Sequence, residues 1–366
     1  MAYIGAVGLG VPETTLSQET AKKLIEKIFD SSKKVKRLLP VFDNANISSR
    51  QLASPIDWYT KKQSLQSRND LYIGQTIKLS LEAIDRCLTN EWLKAAIPYE
   101  EVDLIVFVSS TGISTPSIDS YLINERDFRE DIVRMPLWGL GCGGGAIGLS
   151  RAAEWLQHNK DKTALVICAE LCSLTFQQDD VSTSNIVGTA LFGDGVACTL
   201  LVGEESPYAK VLPKQKLSIY KRSSFLKKNT LQIMGWHVTN NGFEVIFSKK
   251  IPHLVQSIWR EHLEQFLQDL SISIEDLHSF VAHPGGRKVL EEMEKTLNYK
   301  KELLANSYEI LKHHGNMSSA TVMYVLKRYI ESTYNSVNTP HKEYAMLSAL
   351  GPGFCSELIA MRWNGV

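Results

Sequence analysis

The sequence has no excess of charge of either sign: 40 Lys and Arg stand against 40 Asp and Glu in 366 residues. A nucleic-acid backbone or an anionic membrane needs a surplus of cations to neutralise it, so neither is an expected partner. No apolar run approaches the roughly 18 residues of a membrane-spanning helix. The short apolar stretch of MAYIGAVGLGVPETT has no Lys or Arg before it. Neither a signal peptide nor stable membrane insertion is therefore expected, and the cytoplasm is the expected location. Cysteine is scarce. Cys87, Cys142, Cys168, Cys172, Cys198 and Cys355 lie scattered, mostly in apolar runs, which does not suit a disulfide framework and fits a reducing compartment. Cys168 and Cys172 have no second pair at ligand spacing, so no metal is expected. What the chain does have, 44% apolar and 22% charged residues, suffices for a large core and argues against disorder.

A faint internal repeat organises it. EVDLIVFVSSTG, with Asp103 and Phe107, matches EDLHSFVAHPGG, with Asp276 and Phe280. Each copy follows an amphipathic pattern, from about Leu71 to Leu93 and from about His253 to Leu270, with apolar residues at helical spacing. Each is followed by a loop that opens a helix, GLGCGGGAIGLSRAAEWLQ and HHGNMSSATVMYVLKRYIE, and then by another apolar strand, TALVICAE and EYAMLSALGPG. Strand, helix, strand occurs twice, which predicts two pseudo-equivalent α/β halves at residues 1–205 and 206–366. ESPYAKVLPKQK, which breaks the periodicity, is the predicted connection.

The matched loops carry the reactive-looking side chains. Cys142 sits among Gly139, Gly141, Gly143, Gly144 and Gly145 at the start of a helix, where the helix N-terminus can stabilise a thiolate. His283 ends a strand that Pro284 and two glycines stop, leaving the imidazole at its carboxyl edge. Asn316 opens the helix that matches the Cys142 helix. If the halves pack about a pseudo-twofold axis, the three converge.

GLGCGGG, ALFGDGVA, VAHPGG, GNMSSATV and LGPGF occur in the order and spacing of the type III polyketide synthases, and the chain resembles these relatives of chalcone synthase over almost its whole length. The resemblance implies a thiolase-like α/β fold of duplicated βαβαβ halves in an αβαβα arrangement, and a homodimer. It implies Cys142 as the acyl-carrying nucleophile of an acyltransferase, with His283 and Asn316 handling malonyl-CoA. Phe192 would gate the cavity, Gly351, Pro352 and Gly353 would shape its wall, and Thr175, Gly188 and Ser318 would line it. Thr115 would reach into the neighbouring subunit's cavity, and Arg50 would contact CoA. The substrates are then malonyl-CoA and an acyl-CoA, with an acyl carrier protein as another donor and no metal or redox cofactor. The chemistry suits these residue types: a thiolate paired with imidazolium attacks a thioester, and two preorganised donors hold an enolate oxygen.

Departures from the plant pattern point to an aliphatic starter. Trp236 stands where chalcone synthase has Gly and Val245 where it has Phe, which redistributes the cavity from wide and short toward narrow and long. Cys172 replaces a Thr, as in bacterial members with tunnels for aliphatic starters, and GISTPS and MGWHVTNNGFEV look closer to the bacterial alkylpyrone and alkylresorcinol synthases. Ala349 replaces the first Gly of the GFGPG loop, and Ser48 and Ser49 replace basic residues beside Arg50. Three other readings compete. Gly139, Gly141 and Gly144 spell GxGxxG with Glu170 further on, the outline of a dinucleotide site, although the spacing to Glu170 is too long. The order Cys, His, Asn occurs in papain-like hydrolases, whose Cys lies near the N-terminus. An initiating ketosynthase shares all three residues but condenses once.

Overall fold

The computed structural model describes residues 1–334 and 343–364. Its strands are β1 (Ala2–Gly10), β2 (Thr14–Ser17), β3 (Ser49–Leu52), β4 (Leu104–Ser109), β5 (Val133–Trp138), β6 (Thr163–Leu171) and β7 (Asp194–Gly203), followed by β8 (Lys216–Leu226), β9 (Met234–Thr239), β10 (Gly242–Phe247), β11 (Leu277–Ala282), β12 (Tyr344–Gly351) and β13 (Cys355–Asn364). Nine of them form one sheet in the order β11-β12-β13-β8-β1-β7-β6-β4-β5. The order reads as two copies of one motif. β4 runs parallel to β6 and β6 antiparallel to β7; β11 runs parallel to β12 and β12 antiparallel to β13. The copies meet at only three register pairs, Ala2 with Ile219, Tyr3 with Ser218 and Ile4 with Leu217.

The strands are apolar on both faces because helices cover both. In β4, Leu104, Val106 and Val108 face the core around helices Gly144–His158 and Thr321–Tyr334, while Ile105 and Phe107 face the core beneath helix Leu65–Leu88. This is the two-residue alternation of a strand, with apolar side chains on both sides. The central core draws Ala146, Leu149 and Ala153 from one helix and Val322, Val325 and Tyr329 from the other, packed against strands of both halves. A third core covers the outer face of the second half with Trp259, Leu263 and Leu290 against Phe280, Met346 and Leu358. The layers are helix, half-sheet, paired helices, half-sheet, helix. This is the mixed α/β thiolase-like arrangement, with the two loop-to-helix junctions side by side at its centre.

Local sequence explains the main helices. Ser64 caps helix Leu65–Leu88 by accepting from the Ser67 amide at 3.1 Å, a standard N-cap contact. The helical pattern expected from His253 to Leu270 resolves into a short helix, a π-helical turn at Val255–Trp259 and helix Arg260–Leu270. That turn delivers the buried Trp259 indole to Ser348 Oγ at 2.9 Å.

Candidate active site

Cys142 lies in the turn Gly141–Gly143 between β5 and helix Gly144–His158. Gly141 has φ +47°, and a Cβ there would lie 2.7 Å from the Pro352 ring. A Cβ at Gly145 would overlap the Ser319 carbonyl of the opposing half. The glycine run, taken from sequence as a mark of reactivity, thus has a packing cause: the two junctions approach so closely that side chains are excluded.

Asn316 is brought to Cys142 from 174 residues away. The Cys142 thiol Sγ lies 3.9 Å from Asn316 Oδ1. Asn316 Oδ1 also accepts the Ser318 amide at 2.8 Å, and Nδ2 donates to the Gly285 carbonyl at 3.2 Å. These two bonds set the orientation of the amide and leave one N–H of Nδ2 for a ligand. His283 follows β11, and its own amide donates to Ser348 at 2.8 Å. The imidazole is buried, and neither ring nitrogen has a protein partner.

Burial shapes the charge of this pair. Desolvation pushes the Cys142 thiol up to about 12, with the Glu170 carboxylate adding to the effect, and holds the His283 imidazole down to about 3. Neither charge is stable there alone. Burial therefore disfavours both the thiolate and the imidazolium expected from sequence.

Two cavities adjoin. The first contains Cys142, Ser318 and Pro352, closed by Phe192, Trp236, Phe247, Met234 and Val245. The Phe192 ring lies 5.8 Å from that of Trp236 and 5.6 Å from that of Phe247. Trp236 and Val245 are cross-strand partners in the β9–β10 hairpin. The second cavity is lined by Cys172, Thr175 and Arg50 and by apolar side chains. Phe192 and Val245 line both, so they form the partition. Gly188 lies behind it: a Cβ there would stand 3.1 Å from the Phe192 ring and 3.3 Å from Val245. Gly351 and Gly353 carry Pro352 into the first cavity, and Thr230 Oγ1 ties the loop down through the Gly353 carbonyl at 2.8 Å.

Other expectations are corrected. Arg50, expected on the surface against CoA, is only 1% exposed, and its Nη1 donates to the carbonyls of Thr189 and Phe192 at 2.6 and 3.2 Å. It lies within β3, which turns its side chain inward beneath helix Thr183–Leu191 and away from the surface where a CoA contact was expected. Thr115, expected to serve a neighbouring subunit's cavity, is exposed and lines neither cavity of its own chain, which does not contradict that expectation. The dinucleotide reading fails on two counts. The space a pyrophosphate would need beside Gly141 and Gly144 is filled, by Pro352 at the first and by Val108 and Ser319 at the second, and Glu170 is wholly buried. Sequence reading missed what Glu170 does. It accepts from the Ser110 amide and hydroxyl and from Thr111 at 3.0 Å each, and from Ser319 at 2.7 Å. It thereby ties the first half to the second just behind Cys142. The signal was a lone carboxylate ending an apolar run, a charge that must find partners when buried.

Both halves match known families: residues 1–206 the N-terminal domain of chalcone and stilbene synthases, and residues 219–363 their C-terminal domain. A chalcone synthase-like protein of Bacillus subtilis is 43% identical over 100% of this chain and 99% of its own length. A 1,3,6,8-tetrahydroxynaphthalene synthase of Streptomyces peucetius is 32% identical over 98% of this chain and 93% of its own. An alpha-pyrone synthesis polyketide synthase-like protein of Mycobacterium tuberculosis is 27% identical over 98% and 90%. The crystal structure of a tetrahydroxynaphthalene synthase from Streptomyces coelicolor superposes with a TM-score of 0.90 at 22% identity, covering 100% of both chains, and shows the same fold. With both halves matched and relatives aligned end to end, the chain belongs to the chalcone and stilbene synthase family, the type III polyketide synthases, which are acyltransferases on a thiolase-like fold.

Proposed function

We propose that this enzyme loads an aliphatic, medium- or long-chain acyl group from acyl-CoA onto Cys142. It then extends that group with malonyl-CoA by repeated decarboxylative Claisen condensation, and the chain closes to an alkylpyrone or alkylresorcinol. The observation that carries the reading is the partition. A cavity holding the thiol is separated by only Phe192 and Val245 from a second, mainly apolar one beside Cys172. Hydrocarbon that passes the partition leaves water for an apolar wall, a gain of roughly 0.8 kcal/mol per buried CH2. Trp236 crowds the space beside Cys142 while Val245, in place of a ring, leaves the way past Phe192 less obstructed. The relative named for alpha-pyrone synthesis supports the product class.

The proposed roles rest on the chemistry of these residue types and on the Cys142–Asn316 contact at 3.9 Å. His283 takes the thiol proton as Cys142 attacks the starter thioester and passes it to the departing CoA. Malonyl-CoA then loses CO2, and the enolate oxygen is held by the N–H of a neutral His283 and the free Asn316 N–H, in a site with little water. The enolate carbon attacks the acyl carbonyl and expels the Cys142 thiolate, and the extended chain returns to it. CoA is the proposed donor, since a solved relative of the same fold is a complex with CoA-SH; an acyl carrier protein is the other.

A homodimer is part of the proposal. β5 is an edge strand; its last residue, Trp138, is 54% exposed, and Ile113 in the adjacent loop is 49% exposed. An apolar edge of this kind calls for a cover, and Thr115 stands next to it, placed to reach a partner. Among the described residues no helix is long and apolar enough to cross a membrane, which accords with the proposed cytoplasmic location.

The test is incubation with radiolabelled malonyl-CoA and acyl-CoA starters from acetyl to stearoyl, with products identified by mass. Alkylpyrones or alkylresorcinols from medium or long starters are expected. Single-condensation 3-ketoacyl products would favour the initiating ketosynthase reading instead.

A further inference from the structure

Among the described residues, Arg50 is the one charged group lining the cavity behind Phe192. Every other hydroxyl or amide donor on that wall is engaged within the protein. Thr175 Oγ1 donates to Cys172 O at 2.7 Å, and Thr189 Oγ1 to Asn185 O at 2.7 Å. Asn185 Nδ2 donates to the carbonyls of Gln177 and Asp180 at 2.7 and 2.6 Å. Ser173 Oγ donates to Asp194, and the Tyr59 hydroxyl is paired with Ser173 at 2.6 Å. Arg50 differs. Its Nη1 is engaged, but Nε and Nη2 are buried with no partner. Asp194 lies near enough to act on Arg50 electrostatically, but it makes no hydrogen bond to the guanidinium; it accepts instead from the amides of Ala53 and Ser173 at 2.6 and 2.7 Å.

The Nε–H and Nη2–H of a guanidinium project side by side from one edge, a fork that fits the two oxygens of one carboxylate. The rest of the wall, Leu16, Ala21, Leu24, Ile25, Leu52 and Phe176, is hydrocarbon. We propose that the cavity behind Phe192 is a binding site for the carboxylate of an aliphatic chain, held on the Nε–Nη2 edge of Arg50. Such a carboxylate has two sources. One is the far end of an ω-carboxyacyl starter tethered to Cys142, which rests on the acyl path proposed above. The other is a free fatty acid, which does not.

The experiment needs no change at Arg50 to be decisive. Cys142→Ala protein, which cannot be acylated, is titrated by calorimetry with decanoate and with 1-decanol. Decanoate is expected to bind roughly 10- to 100-fold more tightly, the range of a charge-assisted hydrogen bond against a neutral group. Equal binding of the two, or no binding of either, overturns the proposal. Arg50→Met added to that protein should erase the preference, and Arg50→Lys, which keeps the charge without the fork, should erase most of it; circular dichroism checks that each is folded. A preference that survives in folded Arg50→Met also overturns it.

Two arms with the unmodified enzyme then separate the sources. Faster turnover of the CoA monothioester of decanedioic acid than of decanoyl-CoA identifies the tethered source. Preference for decanoyl-CoA, with competitive inhibition by free decanoate, identifies the free acid. Failure to turn over any acyl-CoA would sink the proposed function but would leave decanoate binding to Cys142→Ala standing.

Discussion

Phe192 and Asn316 form a parallel β-bridge: the Asn316 amide donates to the Leu191 carbonyl at 2.8 Å, and the Gly193 amide donates to the Asn316 carbonyl at 3.0 Å. The residue that partitions the two cavities and the residue that touches the thiol are thus one backbone unit, joined from opposite halves. On the proposed roles, a change that displaces one should disturb the other, which would link chain-length control to enolate binding.

Asn316→Ala should separate the two half-reactions. Acyl-Cys142 should still form, detected by intact mass, because the thiol and His283 remain. Release of labelled CO2 from malonyl-CoA should fall roughly 100- to 1,000-fold, the usual effect of deleting a donor to a developing oxyanion. Condensation at the full rate would remove Asn316 from the enolate role.

His283→Ala should change how Cys142 alkylation depends on pH. With no partner for its proton, the thiol keeps the value near 12 that burial imposes. Only the thiolate reacts, so its alkylation rate should climb about tenfold per pH unit from 7 to 10 with no plateau. In the unmodified enzyme, where His283 can accept the proton, the rate should level off at a lower pH. Identical profiles would show that the two residues do not share a proton.

Trp236→Gly should lengthen or broaden the products, since the indole closes the Cys142 cavity against Phe192. Val245→Phe should shorten them by thickening the partition. Product masses from a single decanoyl-CoA incubation decide both, and an unchanged profile in the two variants would contradict the path past Phe192.

Glu170→Gln should destabilise the fold without touching a cavity wall. The carboxylate accepts from Ser110, Thr111 and Ser319, and an amide turns one acceptor into a donor facing donors. A loss of about 2–4 kcal/mol is expected, read from the urea midpoint. No change would mean that those hydroxyls reorient freely.

Much of this was legible in one dimension. The repeat appears because equivalent strands and helices face equivalent surroundings: β4 and β11 carry matched apolar runs, and Cys142 and Asn316 sit at matched loop-to-helix junctions. The five motifs that mark the family are contiguous, and each serves a local turn or junction, so they survive as strings. Arg50 shows where such reading stops. The family resemblance suggested a CoA contact for it, yet β3 turns it inward beneath helix Thr183–Leu191, a placement set by packing between segments some 140 residues apart.

The sequence alone determined the layered α/β architecture, the family, and the residue types available for acyl transfer, because periodicity and short-range turn chemistry are local properties. Only the tertiary structure decided that the glycines around Cys142 make room for the other half and that Glu170 ties the halves together. It alone showed that Phe192 and Val245 divide two cavities. Each of these depends on which surfaces meet when the halves close on one another. The burial that results moves the thiol and imidazole away from their ordinary titration ranges and holds both neutral, which no spacing in the chain can reveal.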